Sequence, residues 1–354
     1  NFFFLRNKIQ RLIVKFNYIF KRQYIYNFKN NINLETSSIC NLNCIFCGYG
    51  KRDISQHPKK IMSNETFKKN LDQILEYGFK YVGLTPTTGD IFMDKNIFEK
   101  FSIIENYSGF QGFYFYKNFI IPNKKQIEKL INLKKIKYLG ISIYGHDLNS
   151  FLQISGSNKI SYLKLIENLN YLSEILNSNY LKNNFVISIE HRTVDSNDIM
   201  SHDNELLSVI KKLISQKNIK YEFQKNYDNW GGLIKKEDLN NVNINLKDKS
   251  TKKIGSCSLI YNRMTIGVDG TVNACACRDA NFTLRIGNTK LNSLKEIISI
   301  RNKNYTNLIS SQEKNNFSEV CKSCTFYSSI YQKENSSLAF SEYDKSPISL
   351  KDYK

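Results

Sequence analysis

Six short segments of the chain are rich in β-branched and aromatic side chains, and they alternate with longer segments of helical pattern. The short segments are Ile32–Thr36, Tyr81–Thr85, Phe113–Tyr116, Tyr138–Tyr144, Phe185–Glu190 and Tyr221–Gln224. The longer stretches between them repeat their apolar residues with a helical period, at Asn64–Tyr77, Lys95–Tyr107, Lys124–Leu133, Ser161–Leu176 and Glu205–Ser215. The pattern predicts six strands and five helices, with Ser63 as the N-cap of the first helix.

Alternating strands and helices indicate repeated βαβ units, and therefore an α/β fold with a parallel sheet. A closed barrel of this kind has eight strands. Six strands predict an open, partial (β/α)6 barrel, which we place at residues 31–232. Active sites in such folds form where the strands end, so the segment Glu35–Gly50, which follows the first strand, is the first place to look for chemistry.

The first 30 residues contain seven Lys or Arg and no acidic residue. Their apolar residues recur at helical spacing, at Leu5, Ile9, Leu12, Ile13, Phe16, Ile19 and Phe20. This predicts a basic amphipathic helix. It either packs its apolar stripe on the main domain or makes a peripheral membrane contact through residues 1–25.

The remaining boundaries come from composition and cysteine positions. The stretch Asn229–Ser250 is polar and rich in Asn, which places a linker at residues 233–254. A second cysteine-bearing domain follows at residues 255–327, and a polar tail at 328–354. The second domain holds five of the eight cysteines and is expected to be a small α+β unit.

The formal charge of +19 would suit a nucleic-acid-binding protein. Lysines are nevertheless scattered through the predicted helices, where they mark solvated faces, and no compact Arg-rich tract interleaved with aromatics is present. We therefore predict no nucleic-acid partner. The sequence shows neither a secretory signal nor a membrane-spanning apolar run, so the expected location is the cytoplasm.

Three cysteines stand within eight residues, Cys40, Cys44 and Cys47. A structural zinc site needs four ligands, and His57 is the nearby candidate for the fourth. A 4Fe–4S cluster held by three thiolates instead leaves one iron open to an external ligand. Both metal readings remain open on spacing alone.

The segment "CNLNCIFC" resembles the CxxxCxΦC motif of the radical S-adenosylmethionine (radical SAM) superfamily, with Phe46 as the aromatic residue. The resemblance implies a partial barrel in which Cys40, Cys44 and Cys47 hold a 4Fe–4S cluster. The open iron then binds S-adenosylmethionine, and cleavage of this co-substrate gives a 5′-deoxyadenosyl radical that abstracts a substrate hydrogen. An electron donor such as flavodoxin or ferredoxin is implied as a partner.

The later cysteines resemble those of the twitch domain, a shortened SPASM domain that binds an auxiliary 4Fe–4S cluster. Its implied ligands are Cys257, Cys275, Cys321 and Cys324. The segment Arg263–Cys275 fits the domain's β-hairpin, with a turn at Asp269-Gly270. No cysteine follows Cys324, so we expect one auxiliary cluster. Cys277 could replace Cys275 as a ligand, although the Gly-x4-Cys spacing favours Cys275.

The resemblance also implies contacts to S-adenosylmethionine at the ends of several strands. Besides Phe46, the candidates are Thr88, Gly89, Asp90, Ser142, Glu190 and Arg192. "TTGD" at residues 87–90 departs mildly from the family's Gly-Gly-Glu-like segment and could be an ordinary turn. Tyr144 shares a strand face with Ser142, and Glu190 and Arg192 could instead form an ion pair at the barrel rim.

Two residues are candidates for a direct catalytic role, Arg192 and Asp228. Asp228 lies past the sixth strand, where a substrate would sit, and is a candidate base. The aromatic residues around it, Tyr221, Phe223, Tyr227 and Trp230, are expected to form the wall of the site, and His191 is expected to be structural.

The cysteine arrangement is closest to the aminocyclitol dehydrogenase type of the superfamily. It predicts two-electron oxidation of a small polyol, sugar or nucleotide-sugar, with the auxiliary cluster accepting an electron. The alternative is a peptide- or protein-modifying maturase, many of which carry an N-terminal recognition domain that 30 residues cannot hold. A more distant alternative is a non-enzymatic protein that binds zinc and nucleic acid.

Overall fold

The computed structural model describes residues 31–178, 185–193, 199–216, 218–224, 226–239, 244–247 and 253–330, together with residues 12, 16, 20 and 242. The predicted amphipathic helix at residues 1–30 and nearly all of the polar tail therefore lie outside the described residues. Leu12, Phe16 and Phe20 are the described residues of the first segment, and their side chains are exposed. In the described part of the chain, no helix has the length and apolar character needed to cross a membrane.

Six parallel strands form the barrel part of a nine-stranded sheet, and these six were predicted from the sequence. In chain order the strands are β1 Asn31–Leu34, β2 Tyr81–Gly83, β3 Gly112–Lys117, β4 Ile136–Tyr144, β5 Val186–Arg192, β6 Ile219–Gln224, β7 Asn226–Tyr227, β8 Asn245–Leu246, β9 Thr265–Ile266, β10 Thr271–Asn273 and β11 Arg285–Asn288. The sheet order is β11-β10-β9-β1-β2-β3-β4-β5-β6, while β7 and β8 form a separate pair. This confirms the α/β class and the six-stranded parallel barrel segment.

Helices lie between the strands along the chain, and all five predicted ones begin within two residues of the expected position. The helices are α1 Asn64–Tyr77, α2 Ile97–Asn106, α3 Lys124–Ile131, α4 Leu148–Ser155, α5 Lys159–Ser178, α6 Glu205–Ile214, α7 Leu259–Asn262, α8 Leu294–Ile297, α9 Lys303–Glu313 and α10 Glu319–Ser323. Ser63 caps α1 by accepting a hydrogen bond from the Thr66 amide at 3.1 Å, as predicted. Helix α4 was not predicted, because its eight residues include two serines and an asparagine.

The predicted hairpin is present, and it joins the barrel. Strands β9 and β10 pair antiparallel around the turn at Asp269-Gly270. Strand β9 also pairs in parallel with β1, where Leu34 lies beside Ile266. The Glu35 amide extends this pairing by donating to the Ile266 carbonyl at 2.9 Å. The sheet therefore runs continuously from the barrel into the second domain, which sequence periodicity does not reveal.

The segment predicted as a linker is more ordered than its polar composition suggests. Strand β7 pairs with β8, and two 3-10 turns lie between them at Trp230–Gly232 and Lys236–Leu239. Three of its apolar side chains, Ile234, Leu239 and Ile244, are buried. Burial of widely spaced apolar residues suffices to fix a chain that is otherwise polar.

Candidate active site

The cysteine triplet lies in the loop after β1, at the carboxyl end of the parallel strands. Cys44 is buried and Cys40 and Cys47 are partly buried. The loop is anchored to the end of α4, because the Asn43 amide donates to the Ser155 carbonyl at 3.0 Å. The Cys47 amide closes a turn on the Cys44 carbonyl at 3.0 Å.

Burial raises the pKa of all three thiols, to about 12 for Cys40 and well above the ordinary value for Cys44. Mutual repulsion of the thiolates adds to burial, since Cys40 and Cys47 both raise the pKa of Cys44. Three neighbouring thiolates repel one another and are stabilised when a metal centre supplies positive charge. The donor set therefore fits a metal cluster.

Phe46 packs between two tyrosines at this mouth of the barrel. Its ring centroid lies 5.4 Å from Tyr144, at the end of β4, and 4.9 Å from Tyr227. Burial raises the pKa of Tyr144, and the Cys44 thiolate raises it further. The aromatic residue of the motif and the wall aromatic residue Tyr227 thus belong to one cluster.

His57 does not face the cysteine triplet. Its Nε2 lies 2.9 Å from Glu35 Oε2, and its Nδ1 lies 3.1 Å from the Ala280 carbonyl oxygen. Both neighbours are hydrogen-bond acceptors within reach of a ring nitrogen. His57 therefore links the barrel to the second domain. The suggestion that it is the fourth ligand of a zinc site at the triplet is wrong.

The segment after β2 wraps the start of the cysteine loop. Arg52 Nη1 donates to the Thr88 carbonyl at 3.1 Å and to Thr88 Oγ1 at 2.6 Å, and its Nη2 donates to the Ser38 carbonyl at 2.6 Å. The Asp90 amide donates to the Ile39 carbonyl at 2.8 Å. Arg52 was not among the residues selected from the sequence, because nothing in its spacing links it to Thr88.

The carboxylate of Asp90 is held by backbone amides. It accepts hydrogen bonds from Phe92 N at 2.8 Å and from Asn118 N at 3.2 Å. Its negative charge acts on the nearby thiol of Cys40, raising the pKa of that thiol beyond the larger effect of burial. Asp90 therefore lies beside the cysteine loop in a fixed orientation.

Gly89 lies where a side chain would collide with the cysteine loop. A Cβ atom there would be 2.9 Å from the Ser37 carbonyl oxygen and 3.1 Å from that of Ile39, both of them backbone atoms. Gly89→Ala should displace residues 37–39 and weaken S-adenosylmethionine binding about tenfold, or about 1.4 kcal/mol. Equilibrium binding to the iron-loaded protein measures the effect.

Gly109→Ala is the matched control, because its Cβ would meet only the flexible Leu75 side chain, at 2.9 Å. An unchanged dissociation constant for Gly89→Ala, with full iron content, would show that this close approach does not position the site.

The ends of β4 and β5 bring a cation to the triplet. Ser142 lies beside Glu190 in the sheet register, and Arg192 Nη1 donates to Ser142 Oγ at 3.2 Å. The charge of Arg192 lowers the pKa of Cys44 against the larger effect of burial. The Arg192 guanidinium therefore faces the cysteine loop.

Glu190 is occupied by a different set of partners. Its carboxylate accepts hydrogen bonds from Tyr138 at 2.8 Å, Ser188 at 2.9 Å and Gln224 at 3.1 Å. These contacts hold the Glu190 carboxylate inside the barrel. Glu190 and Arg192 are therefore fixed by separate hydrogen bonds, and not by the ion pair at the barrel rim that was the alternative. His191 is neutral, since burial lowers its pKa to about 4, and it donates from Nε2 to the Gly145 carbonyl.

Asp228 is paired with Arg278, which follows the cysteines of the hairpin. The carboxylate contacts Arg278 Nε, and Asp228 Oδ1 accepts from the Trp230 amide at 3.0 Å. This pair links the end of the barrel to the second domain. Arg278 is a second residue that sequence spacing did not reveal.

A cavity lies in the cysteine-bearing domain. Its walls include the thiols of Cys257, Cys275, Cys321 and Cys324 and several apolar side chains. Cys277 is not among the lining residues, which agrees with the choice of Cys275 from the sequence. Within the described residues, no three His, Cys, Asp or Glu side chains converge closely enough for a single metal ion. Thiols spread around a cavity fit a cluster, which separates its ligands more widely than one ion does.

Hydrogen bonds to sulfur, which tune iron–sulfur clusters, are already in place around this cavity. Cys324 Sγ accepts from the Phe326 amide at 3.3 Å, and Cys321 Sγ accepts from Gln312 Nε2 at 3.4 Å. Burial raises the pKa of Cys257 to about 12 and that of Cys324 to about 11. A positively charged cluster would stabilise the thiolate forms of these cysteines as well.

Solved structures that share this fold include radical SAM enzymes. BtrN in complex with AdoMet and 2-DOIA superposes with a TM-score of 0.54 at 15% identity, over 87% of this chain and 97% of BtrN. Streptococcus suis SuiB bound to its precursor peptide SuiA superposes with a TM-score of 0.55 at 16% sequence identity. The match covers 87% of this chain and 70% of SuiB. Native anSMEcpe with bound AdoMet superposes with a TM-score of 0.50 at 17% sequence identity. The match covers 86% of this chain and 92% of anSMEcpe. At these identities the likeness establishes the fold.

Two family models match the sequence. Residues 34–191 match the radical SAM superfamily, and residues 257–325 match the SPASM iron–sulfur cluster-binding domain. Together the two segments cover more than half of the chain. No curated protein matches the sequence as a whole. The chain belongs to the radical SAM superfamily and carries a SPASM-type iron–sulfur domain, with iron–sulfur clusters and S-adenosylmethionine as its cofactors.

Proposed function

We propose that this enzyme oxidises a hydroxyl group of a small polyol, sugar or nucleotide-sugar by two electrons. The observation that supports the proposal is the arrangement of seven of the eight cysteines into two sets. Three lie at the barrel mouth, and four line the cavity in the cysteine-bearing domain. A second redox centre beside the active site suits a reaction that leaves an electron on its product.

Each thiol set has a proposed cluster. Cys40, Cys44 and Cys47 would hold the cluster that binds S-adenosylmethionine, and Cys257, Cys275, Cys321 and Cys324 would hold the auxiliary one. When bound, the first cluster supplies the electron that cleaves S-adenosylmethionine, and the second accepts the electron left on the substrate after one hydrogen atom and one proton have gone.

The chain's own residues would orient the co-substrate. Thr88, Gly89 and Asp90 form a fixed edge beside the cysteine loop, and Phe46 offers an aromatic surface. Arg192, directed by Ser142, would hold the carboxylate of S-adenosylmethionine, with Glu190 buried behind it as support. A guanidinium binds a carboxylate through two parallel hydrogen bonds when it is already oriented.

Asp228 would take the proton of the substrate hydroxyl. Its Oδ1 is held by the Trp230 amide and Arg278, so Oδ2 is the oxygen that would meet a substrate. Asp228 adjoins Tyr227, whose ring packs on Phe46 of the cysteine loop, and this neighbourhood supports its role as the base. A base must lie within hydrogen-bond reach of the proton it removes.

The comparisons offer two substrate classes. BtrN was crystallised with AdoMet and 2-DOIA, and its chain is covered almost entirely by this one. SuiB was crystallised with a precursor peptide and matches equally well in TM-score, but is covered over 70% of its length. The fuller coverage supports the small-molecule reading, with peptide modification as the second candidate. The family match argues against the non-enzymatic zinc-binding alternative.

The test is to incubate the iron-loaded, reduced protein anaerobically with S-adenosylmethionine and a panel of ring-deuterated sugars and cyclitols. The expected result is deuterium in 5′-deoxyadenosine, with one ketone formed per 5′-deoxyadenosine. Short peptides containing Ser and Cys form the parallel panel. Deuterium transfer only from peptides would replace the proposal with the second candidate. No 5′-deoxyadenosine in any reaction would overturn both.

The proposed electron donor is a flavodoxin or ferredoxin, proteins whose acidic surfaces would be attracted by a chain of net charge +19. The proposed compartment is the cytoplasm, where eight free thiols would remain reduced.

A further inference from the structure

A stack of three side chains connects the two cysteine sets. Trp230 lies against Gly48, the neighbour of Cys47, so closely that a Cβ on Gly48 would be 2.9 Å from the indole ring. The Arg278 guanidinium lies 5.1 Å from the Trp230 ring and 4.3 Å from the ring of Phe326. The Phe326 amide then donates to Cys324 Sγ at 3.3 Å. The stack therefore extends from one ligand loop to the other.

The stack contains a charge pair, because the Asp228 carboxylate contacts Arg278 Nε. Arg278 also lines the auxiliary cavity beside Cys275 and Cys324. Through Trp230, which lies against Gly48, the same pair adjoins the loop of Cys47. One charge pair therefore lies between the two cysteine sets.

The turn that carries Trp230 is fixed against the second domain. Asn229 N donates to Thr325 Oγ1 at 3.0 Å, and Thr325 N donates back to Asn229 Oδ1 at 3.1 Å. Gly231 lies so close to α10 that a Cβ there would be 2.4 Å from the Val320 side chain. These contacts join the turn to the residues on either side of Cys324.

Trp230 has a left-handed backbone, with φ of 49°. This conformation is unfavourable for a bulky residue and persists only where surrounding contacts enforce it. Such strain is typical of functional sites and adds independent support for a built connection.

We propose that the Asp228–Arg278 pair, held in the Trp230–Arg278–Phe326 stack, sets the reduction potential of the auxiliary cluster relative to the S-adenosylmethionine-binding cluster. Net charge near a cluster is one of the factors that fix its potential. A nearby cation favours the reduced, more negative cluster, and a nearby anion opposes it. Arg278 is thus a positioning residue that would make the auxiliary cluster a better electron acceptor. The inference rests on the cluster ligands assigned in the proposed function.

Opposite charge changes in this pair test the proposal. Arg278→Gln removes the cation and should shift the auxiliary midpoint potential to a more negative value. Asp228→Asn leaves the cation unopposed and should shift it to a more positive value. The S-adenosylmethionine-binding cluster should shift in the same directions but by less, because Arg278 lines the auxiliary cavity and adjoins the other ligand loop only through Trp230. The measurement is an anaerobic redox titration in which electron paramagnetic resonance distinguishes the two clusters.

Two controls separate charge from packing and from distant electrostatics. Arg278→Lys keeps the charge, so its auxiliary potential should stay closer to the parent value than that of Arg278→Gln. Lys295→Gln removes a cation from the exposed Lys295–Glu76 pair of the same domain and should leave both potentials unchanged. If Arg278→Gln fails to retain iron, the positive shift of Asp228→Asn still decides the question.

Unchanged potentials, or shifts of the same sign in Arg278→Gln and Asp228→Asn, would overturn the inference. If the parent protein holds two clusters and the variants leave both midpoint potentials unchanged, only this role of Arg278 is refuted. A parent protein without an auxiliary cluster would instead refute the ligand assignment on which the inference rests.

Discussion

Replacing Cys40, Cys44 and Cys47 together with Ala should abolish cleavage of S-adenosylmethionine and remove about half of the iron. Each cubane cluster holds four irons, so the parent protein should bind about eight and the triple variant about four. The second set should survive because its thiols line a separate cavity in another domain. Iron and sulfide assays together with chromatography of 5′-deoxyadenosine measure both effects.

Cys277→Ala is the control for loss of a thiol as such. Cys277 lies two residues from Cys275 but does not line the auxiliary cavity, so this variant should keep all of its iron. Cys275→Ala should lose the auxiliary share. The two-site assignment fails if the triple variant loses all of its iron or none, and exchange of the results for Cys275 and Cys277 would reverse the choice between them.

Two buried lysines should respond in opposite ways to replacement by Met. Lys100 Nζ lies 2.6 Å from Asp94 Oδ2, and both side chains are 1% exposed. Lys100→Met would leave the Asp94 carboxylate buried without its cation, a change that costs about 3–5 kcal/mol. Lys117, also buried, has an Nζ without a hydrogen-bond partner among the described residues, over the Phe92 ring at 3.2 Å. Lys117→Met should stabilise the fold because an apolar chain replaces an unpaired amine.

The Lys117 effect should depend on pH in a defined way. Burial lowers the pKa of Lys117 from 10.5 to about 7, although Asp90 opposes the shift. Between these values the unfolded chain binds a proton that the folded chain does not, so stability rises with pH by about 1.4 kcal/mol per unit. Lys117→Met removes this dependence. Its advantage over the parent should be largest at pH 7 and below, and should vanish near pH 10.5.

Anaerobic denaturant unfolding at several pH values measures both lysine variants. A stabilised Lys100→Met, or a Lys117→Met protein that is less stable than the parent at pH 7, would contradict the assignment of their environments.

Local patterns were enough to predict the barrel strands and the cysteine triplet. Strands β3 and β4 are rich in aromatic and β-branched residues and are almost entirely buried, and the triplet has a spacing that few other sites share. Contacts between distant segments left no such trace. Arg52 reaches Thr88, and Arg278 reaches Asp228, because the fold brings together residues 36 and 50 positions apart. A single arginine among 51 basic residues carries no local mark of that role.

The pairing of β9 with β1 has a consequence for synthesis of the chain. Strand β1 emerges from the ribosome about 230 residues before its edge partner, which at typical rates of 5–20 residues per second is a delay of roughly ten to fifty seconds. During that time the edge of β1 has no partner from its own hairpin, and exposed strand edges are sites of aggregation. The nascent barrel should therefore depend on chaperones to prevent aggregation until residues 265 and 266 have been synthesised. A chain shortened before the hairpin should be insoluble even though all six barrel strands are present.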